Sequence, residues 1–118
     1  MKSQFQPTGS PCGVYLTPFS ELECPICHQE TGLHHDRVEV FERKEDALRG
    51  LHVDVTSHET LSRLDPPAVT TDENMEGNPS SRRNGVAIYF WCEHCSKESK
   101  LTIAQSKGTT IVKFERVS

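Results

Sequence analysis

Two cysteine pairs, Cys24-Pro25-Ile26-Cys27 and Cys92-Glu93-His94-Cys95, constrain this chain more than any other feature. Each puts two sulfurs three residues apart, a spacing at which a tight turn aims both thiolates at one ion. Two such turns complete a tetrahedron. Four protein ligands leave no position for water or substrate, so the spacing predicts a closed, structural metal site built from Cys24, Cys27, Cys92 and Cys95. Zinc suits it, being a borderline-soft, redox-silent ion that accepts four thiolates. The long insert between the pairs is no obstacle, because loop-closure entropy grows slowly with length.

A staple of this kind matters for a chain of 118 residues with a hydrophobic share of only 34%. That length fits one domain, and a domain so small buries a modest fraction of its surface. Metal binding at such sites contributes about 10–16 kcal/mol of apparent free energy in small peptides, comparable to the net stability of a whole domain. No run of apolar residues is long enough for a membrane span. The opening residues, MKSQFQPTGSPCGVYLTPF, lack the continuous apolar segment of a secretory signal. The expected location is therefore the cytoplasm, where paired cysteines read as metal ligands sooner than as disulfides. Cys12, the fifth cysteine, reads as a free thiol.

Along the chain, residues 1–22 are rich in Pro, Gly, Ser and Thr and read as a flexible leader, with a single domain over 23–118. Arg37 to Glu42 alternates, Val38 and Val40 facing one way and charged neighbours the other, which predicts a strand. Lys44 to Arg49 suggests a helical turn closed by Gly50, and Leu51 to Thr56 alternates again as an antiparallel partner. Ser57 could cap a helical turn through Leu61 and Leu64 that Asp65-Pro66-Pro67 would stop. A polar stretch from Thr70 completes a long connection at 57–84, expected to lack structure of its own. Val86 to Trp91 is apolar on both faces and predicts a central strand. Leu101-Thr102-Ile103 and Ile111 to Phe114 predict two more, across a turn at Lys107-Gly108. The whole reads as mainly β, an antiparallel meander of about five strands with a zinc-ribbon-like four-cysteine site.

The same sulfurs are compatible with other chemistries. A single iron held as in rubredoxins uses the same four thiolates, with Tyr89, Phe90 and Trp91 as a shield. Trp91 to Cys95 also has the form of a thioredoxin-type WCxxC, but the polar segment after it is too short for the long helix that such chemistry needs. His28 and Ser96 follow the second cysteine of each pair, where glycine commonly relieves a strained backbone, and His28 is a conceivable substitute ligand. None of the other histidines has a partner at a diagnostic spacing. A hydrolase or transferase would need a second, open metal site, with His52 and His58 the candidates. Nucleophile-elbow, Walker and dinucleotide motifs are absent, so no enzymatic activity is expected.

The formal charge of −4 speaks against general affinity for nucleic acid or anionic membrane. The charge is uneven: from Asp36 to Glu76 acidic residues outnumber basic ones 11 to 5, whereas from Arg82 to Ser118 basic residues lead 7 to 3. The surface expected to meet a partner combines Arg82, Arg83, Tyr89, Trp91, Lys97, Lys100 and Lys107. The alternative is that the arginines pair with the acidic half while the rings cover the sheet.

In its CPxC and CExC turns the chain resembles the zinc-ribbon class. With Arg37 to Phe41, Gly77-Asn78-Pro79-Ser80 and Arg82-Arg83, Trp91 to Cys95, and Leu101 to Gln105 before Lys107-Gly108, it also looks like a group of short bacterial and phage proteins of uncharacterised activity. The resemblance spans residues 24 to 114. It implies a metal site and an ordered Asn78–Arg83 segment packed near it, but no activity. The function expected is a zinc-binding, non-enzymatic module that recognises a protein partner, with nucleic acid the less favoured ligand.

Overall fold

The computed structural model describes Val14, Leu16, residues 21–56 and residues 68–117. These form six strands: β1 (Leu33–Glu42), β2 (Arg49–Thr56), β3 (Ala68–Asn74), β4 (Gly85–Cys92), β5 (Glu98–Ser106) and β6 (Thr109–Arg116). They make one sheet in the order β3-β2-β1-β4-β5-β6, antiparallel throughout. Two three-stranded meanders thus fan out from a shared seam between β1 and β4. The mainly β, antiparallel reading of the sequence holds, and no described residue is helical. No helix among them is long and apolar enough to cross a membrane.

The sixth strand, β3, forms inside the connection expected to be structureless. Its Val69-Thr70-Thr71 core is β-branched and it lies at an edge, so it needs only one backbone neighbour. Asp72 on His52 and Glu73 on Arg49 tie it to β2. The expected helical turn over Lys44–Arg49 is instead a tight loop. Asp46 adopts a left-handed φ of 61° and its amide donates to the Arg82 carbonyl at 2.8 Å. So few residues between two strands cannot repay helix nucleation, and Gly50 enters β2. The turn through Leu61 and Leu64 and most of the leader lie outside the described residues. Leu16 meets Leu22 in an isolated bridge.

Paired residues share a sheet face. On one face Val69, Val55, Val38, Ile88, Leu101 and Phe114 form a continuous apolar row across all six strands. On the other, Thr70, Asp54, Glu39, Ala87, Thr102 and Lys113 stand in line. The alternation in β1 is as expected, but the burial is not. Glu39 is 7% exposed and Phe41 fully buried, while Val38 and Val40 are only half-buried. The charged face is deeper because its groups are mutually satisfied and because Gly77 lies over Phe41.

The segment from Asn78 to Asn84 is ordered, as the resemblance implied. Buried Ser80 donates from Oγ to the Gln105 carbonyl at 2.6 Å and accepts the Arg83 amide at 2.9 Å. The Arg43 guanidinium donates to the carbonyls of Ser80, Ala47 and Arg83. The segment is not near the cysteines, however. It precedes Gly85, and Cys92 closes the far end of the eight-residue β4, about 23 Å away at the usual strand rise.

Candidate metal centre

The first cysteine pair lies in the turn before β1; the second begins at the last residue of β4 and turns into β5. The two turns repeat one geometry. The His28 amide donates to the Cys24 carbonyl at 3.0 Å, and the Ser96 amide to the Cys92 carbonyl at 2.9 Å. The Ile26 amide points at Cys24 Sγ and the His94 amide at Cys92 Sγ, each at 3.4 Å. His28 and Ser96, the residues where glycine is usual, both take left-handed φ values, 63° and 60°. The turns therefore form without glycine, at the steric cost of a Cβ in that region.

Sulfur geometry fits a tetrahedral ion. Cys24 Sγ lies 3.9 Å from Cys95 Sγ, Cys27 Sγ lies 3.7 Å from Cys92 Sγ, and all four sulfurs fall within 4.8 Å of one another. A metal with arms of about 2.3 Å places tetrahedral sulfurs about 3.8 Å apart. A disulfide would need about 2.05 Å, and all four cysteines are free. Cys24 and Cys92 are fully buried. The turns are clamped together by the Glu93 amide, which donates to the Gly32 carbonyl at 2.9 Å, and by contacts of His34 with Glu93 and Thr31 with His94. Gly32, at φ 98°, is required there: a Cβ would come within 2.6 Å of the His94 ring.

The thiols share protons unequally. At Cys27 a backbone hydrogen bond from Gln29 works downward, but burial and the neighbouring thiols prevail and push it up to about 12. At Cys92 burial works upward, yet backbone hydrogen bonds at Cys95 and His94 and the adjoining thiols pull it down to about 7. A metal entering the cluster displaces the thiol protons. His28, the conceivable substitute ligand, is turned towards Glu23, with Nδ1 at 3.4 Å from its carboxylate.

The sequence-predicted partner residues fall into separate places. Arg82 is engaged by Asp46 and Glu45, and Arg83 approaches Glu45 at 3.9 Å, so the pairing of these arginines with the acidic half is realised. Tyr89 and Lys100 are cross-strand neighbours. Trp91 stacks on His34, ring centroids 4.7 Å apart, beside the cysteine turns. Lys97 and Lys107 flank opposite ends of β5.

A second group of donors, Glu39, His52 and Asp54, also lies within 4.8 Å. Its three members are already engaged by neighbouring side chains. Arg37 grips Asp54 through Nε and Nη2 at 3.2 and 2.9 Å and reaches Glu39 at 3.3 Å. Tyr89 Oη donates to Glu39 at 2.7 Å, and the His52 ring bridges Glu39 and Asp72 at 3.0 Å each while stacking on Phe41. The Arg37 hydrogen bonds hold the Asp54 carboxyl below its usual range, and burial, reinforced by Glu39, pushes Tyr89 up to about 12. The three donors are thus tied into one polar network with Arg37, Tyr89 and Asp72. His58, the other histidine considered for a second metal site, lies outside the described residues. Sequence reasoning missed the network, although once β1 and β2 are paired, Glu39 faces Asp54 and two opposed carboxylates call for a cation.

Comparison with family models, curated proteins and solved structures returns no match for this chain. Fold and site together define an open antiparallel β-sheet whose central strands end at a four-cysteine cluster able to hold a metal ion.

Proposed function

We propose that this chain is a zinc-stapled, zinc-ribbon-like binding module of the cytoplasm that recognises a protein partner and performs no catalysis. The observation that carries this reading is the set of four sulfurs gathered within 4.8 Å of one another, two of the pairs at separations matching a tetrahedral ion. Zinc there would tie the segment before β1 to the β4–β5 turn, fixing the two strands at the centre of the sheet. Protein is favoured over nucleic acid because the chain carries a formal charge of −4.

Elemental mass spectrometry of the natively purified protein, with its visible spectrum, tests the proposal. One zinc per chain and no colour is the expected result. Iron with visible absorbance would move the function to one-electron transfer at the same sulfurs, and absence of any metal would overturn the reading.

A further inference from the structure

The open edge at β6 carries more information than any other surface. β6 pairs with β5 alone among the described residues, and Thr109 to Lys113 are all exposed, Ile111 at 42% and Val112 at 47%. The turn before it, Lys107-Gly108, has both residues at positive φ, 50° and 80°, the two-residue hairpin form. In that form the flanking pair, Ser106 and Thr109, is hydrogen-bonded, and alternate pairs follow suit. Ile111, Lys113 and Glu115 therefore spend their backbone groups on β5. The Val117 amide, which donates to the Glu98 carbonyl at 2.9 Å, continues the same alternation. The backbone N–H and C=O groups of Thr110 and Val112, both exposed residues, point away from the sheet, a ladder for another strand, whereas Phe114 beyond them is fully buried.

Each side of this edge has its own recess. On the polar face a cleft of about 200 Å³ is lined by Lys100, Thr102, Ile111 and Lys113, with Pro79 as one wall. On the opposite face a hollow of about 630 Å³ is lined by Val14, Leu16, Thr110 and Val112. A strand added to β6 would send alternate side chains into these two recesses, the arrangement by which edge addition gains specificity. Charge selects the occupant. With Arg82 and Arg83 bound to the acidic loop, residues 97–117 hold Lys97, Lys100, Lys107, Lys113 and Arg116 against Glu98 and Glu115, a net +3 on a chain of −4.

Resting on the binding-module reading, we propose that β6 is the docking edge for an extended acidic segment of a protein partner. It would add as a seventh strand, with carboxylates towards Lys113 and Lys100 and intervening apolar side chains towards Leu16 and Val112. The other edge, β3, presents Asp72 and Glu73 and repels such a segment. A second copy of β6 brings lysine where the edge calls for carboxylate.

The test uses the full chain loaded with zinc and a fluorescent peptide of alternating Glu and Val, about the eight-residue length of β6, beside its Lys/Val counterpart. Fluorescence anisotropy is expected to show the Glu/Val peptide binding at least about tenfold more tightly. Amide exchange should slow at Thr110 and Val112. Val112→Pro deletes an outward N–H without touching the β5 ladder, and Lys113→Glu reverses an exposed charge that the fold does not need. Each should weaken binding about tenfold, with zinc content and melting temperature holding at wild-type values for Lys113→Glu. No binding of the Glu/Val peptide, equal binding of both peptides, or binding indifferent to Lys113→Glu would overturn the proposal. So would a dimer that forms through β6. A natural partner captured equally well by Lys113→Glu sinks the β6 assignment and leaves the module reading standing, whereas loss of zinc sinks the module itself.

Discussion

Ser96→Gly should make the protein more stable, which is unusual for a substitution beside a metal ligand. Ser96 sits at φ 60° with its side chain exposed, and its backbone amide, the group the turn uses, is kept by glycine. A left-handed conformation costs a residue with a Cβ about 1–2 kcal/mol. Glycine removes that cost but loses about 0.5–1 kcal/mol more chain entropy on folding. The net expectation is a gain of about 0.5–1 kcal/mol, a rise of about 2–6 °C in melting temperature for a domain near 100 residues. Thermal melts with zinc in excess measure it, with Ser96→Ala as the control: alanine keeps the steric cost and should lie close to wild type. A β-branched Ser96→Val should be worse than both. If Ser96→Gly melts at or below Ser96→Ala, φ strain is not what distinguishes this position and the argument fails. His28→Gly, at φ 63°, should gain less, because it also loses the contact with Glu23.

Other outcomes follow from the polar interior. Glu39→Leu leaves Arg37, His52 and the Tyr89 hydroxyl without their shared acceptor and should cost about 3 kcal/mol in urea unfolding. Ser99, fully buried with its hydroxyl unpartnered, should accept Ser99→Ala with unchanged or slightly higher stability, by up to about 1 kcal/mol in the same assay. Asp54, Asp72 and Glu93 are all held below the ordinary carboxylate range: Asp54 chiefly by Arg37, Asp72 by the Asn74 amide and then His52, Glu93 by His34. Their contribution is present above the unfolded carboxylate pKa, near 4, and is lost as pH falls through the folded values. Acid melts should steepen there, and Asp54→Asn should flatten them. Tyr89 has the opposite sign: raised from 10 to about 12, its contribution is whole below pH 10 and is lost as pH rises to about 12. Tyr89→Phe should remove that alkaline loss.

The cysteine cluster was legible because its information is local and chemical. Each CxxC turn encodes its own shape, and four sulfurs leave few ways to be satisfied together. The hairpins were legible for a similar reason: alternating strands on either side of Lys107-Gly108 specify their register through the turn. What the sequence concealed was the seam. Nothing local tells β4 to lie beside β1, since that pairing is made across the intervening β2 and β3. The location of the Asn78–Arg83 segment was lost with it. Read along the chain, Arg82-Arg83 and Trp91-Cys92 look like neighbours; in the sheet, β4 holds them at opposite ends.

The same limit explains why the surroundings of Glu39 cannot be read from β1 alone. Along β1 a glutamate between valines reads as an outward residue, and its environment exists only once three strands bring Arg37, His52, Asp54 and Tyr89 around it. The sheet consequently has two different faces, one crossed by an unbroken apolar row and one polar but tied up in its own pairings. The arginines favoured as a binding surface, Arg82 and Arg83, are spent on the Glu45–Asp46 loop. The positive charge left over lies on the β5–β6 hairpin, furthest from the acidic β3. A separation of charge across one sheet, together with a backbone ladder exposed on the basic side only where Thr110 and Val112 face open recesses, is why the edge rather than a face is the surface to test for recognition.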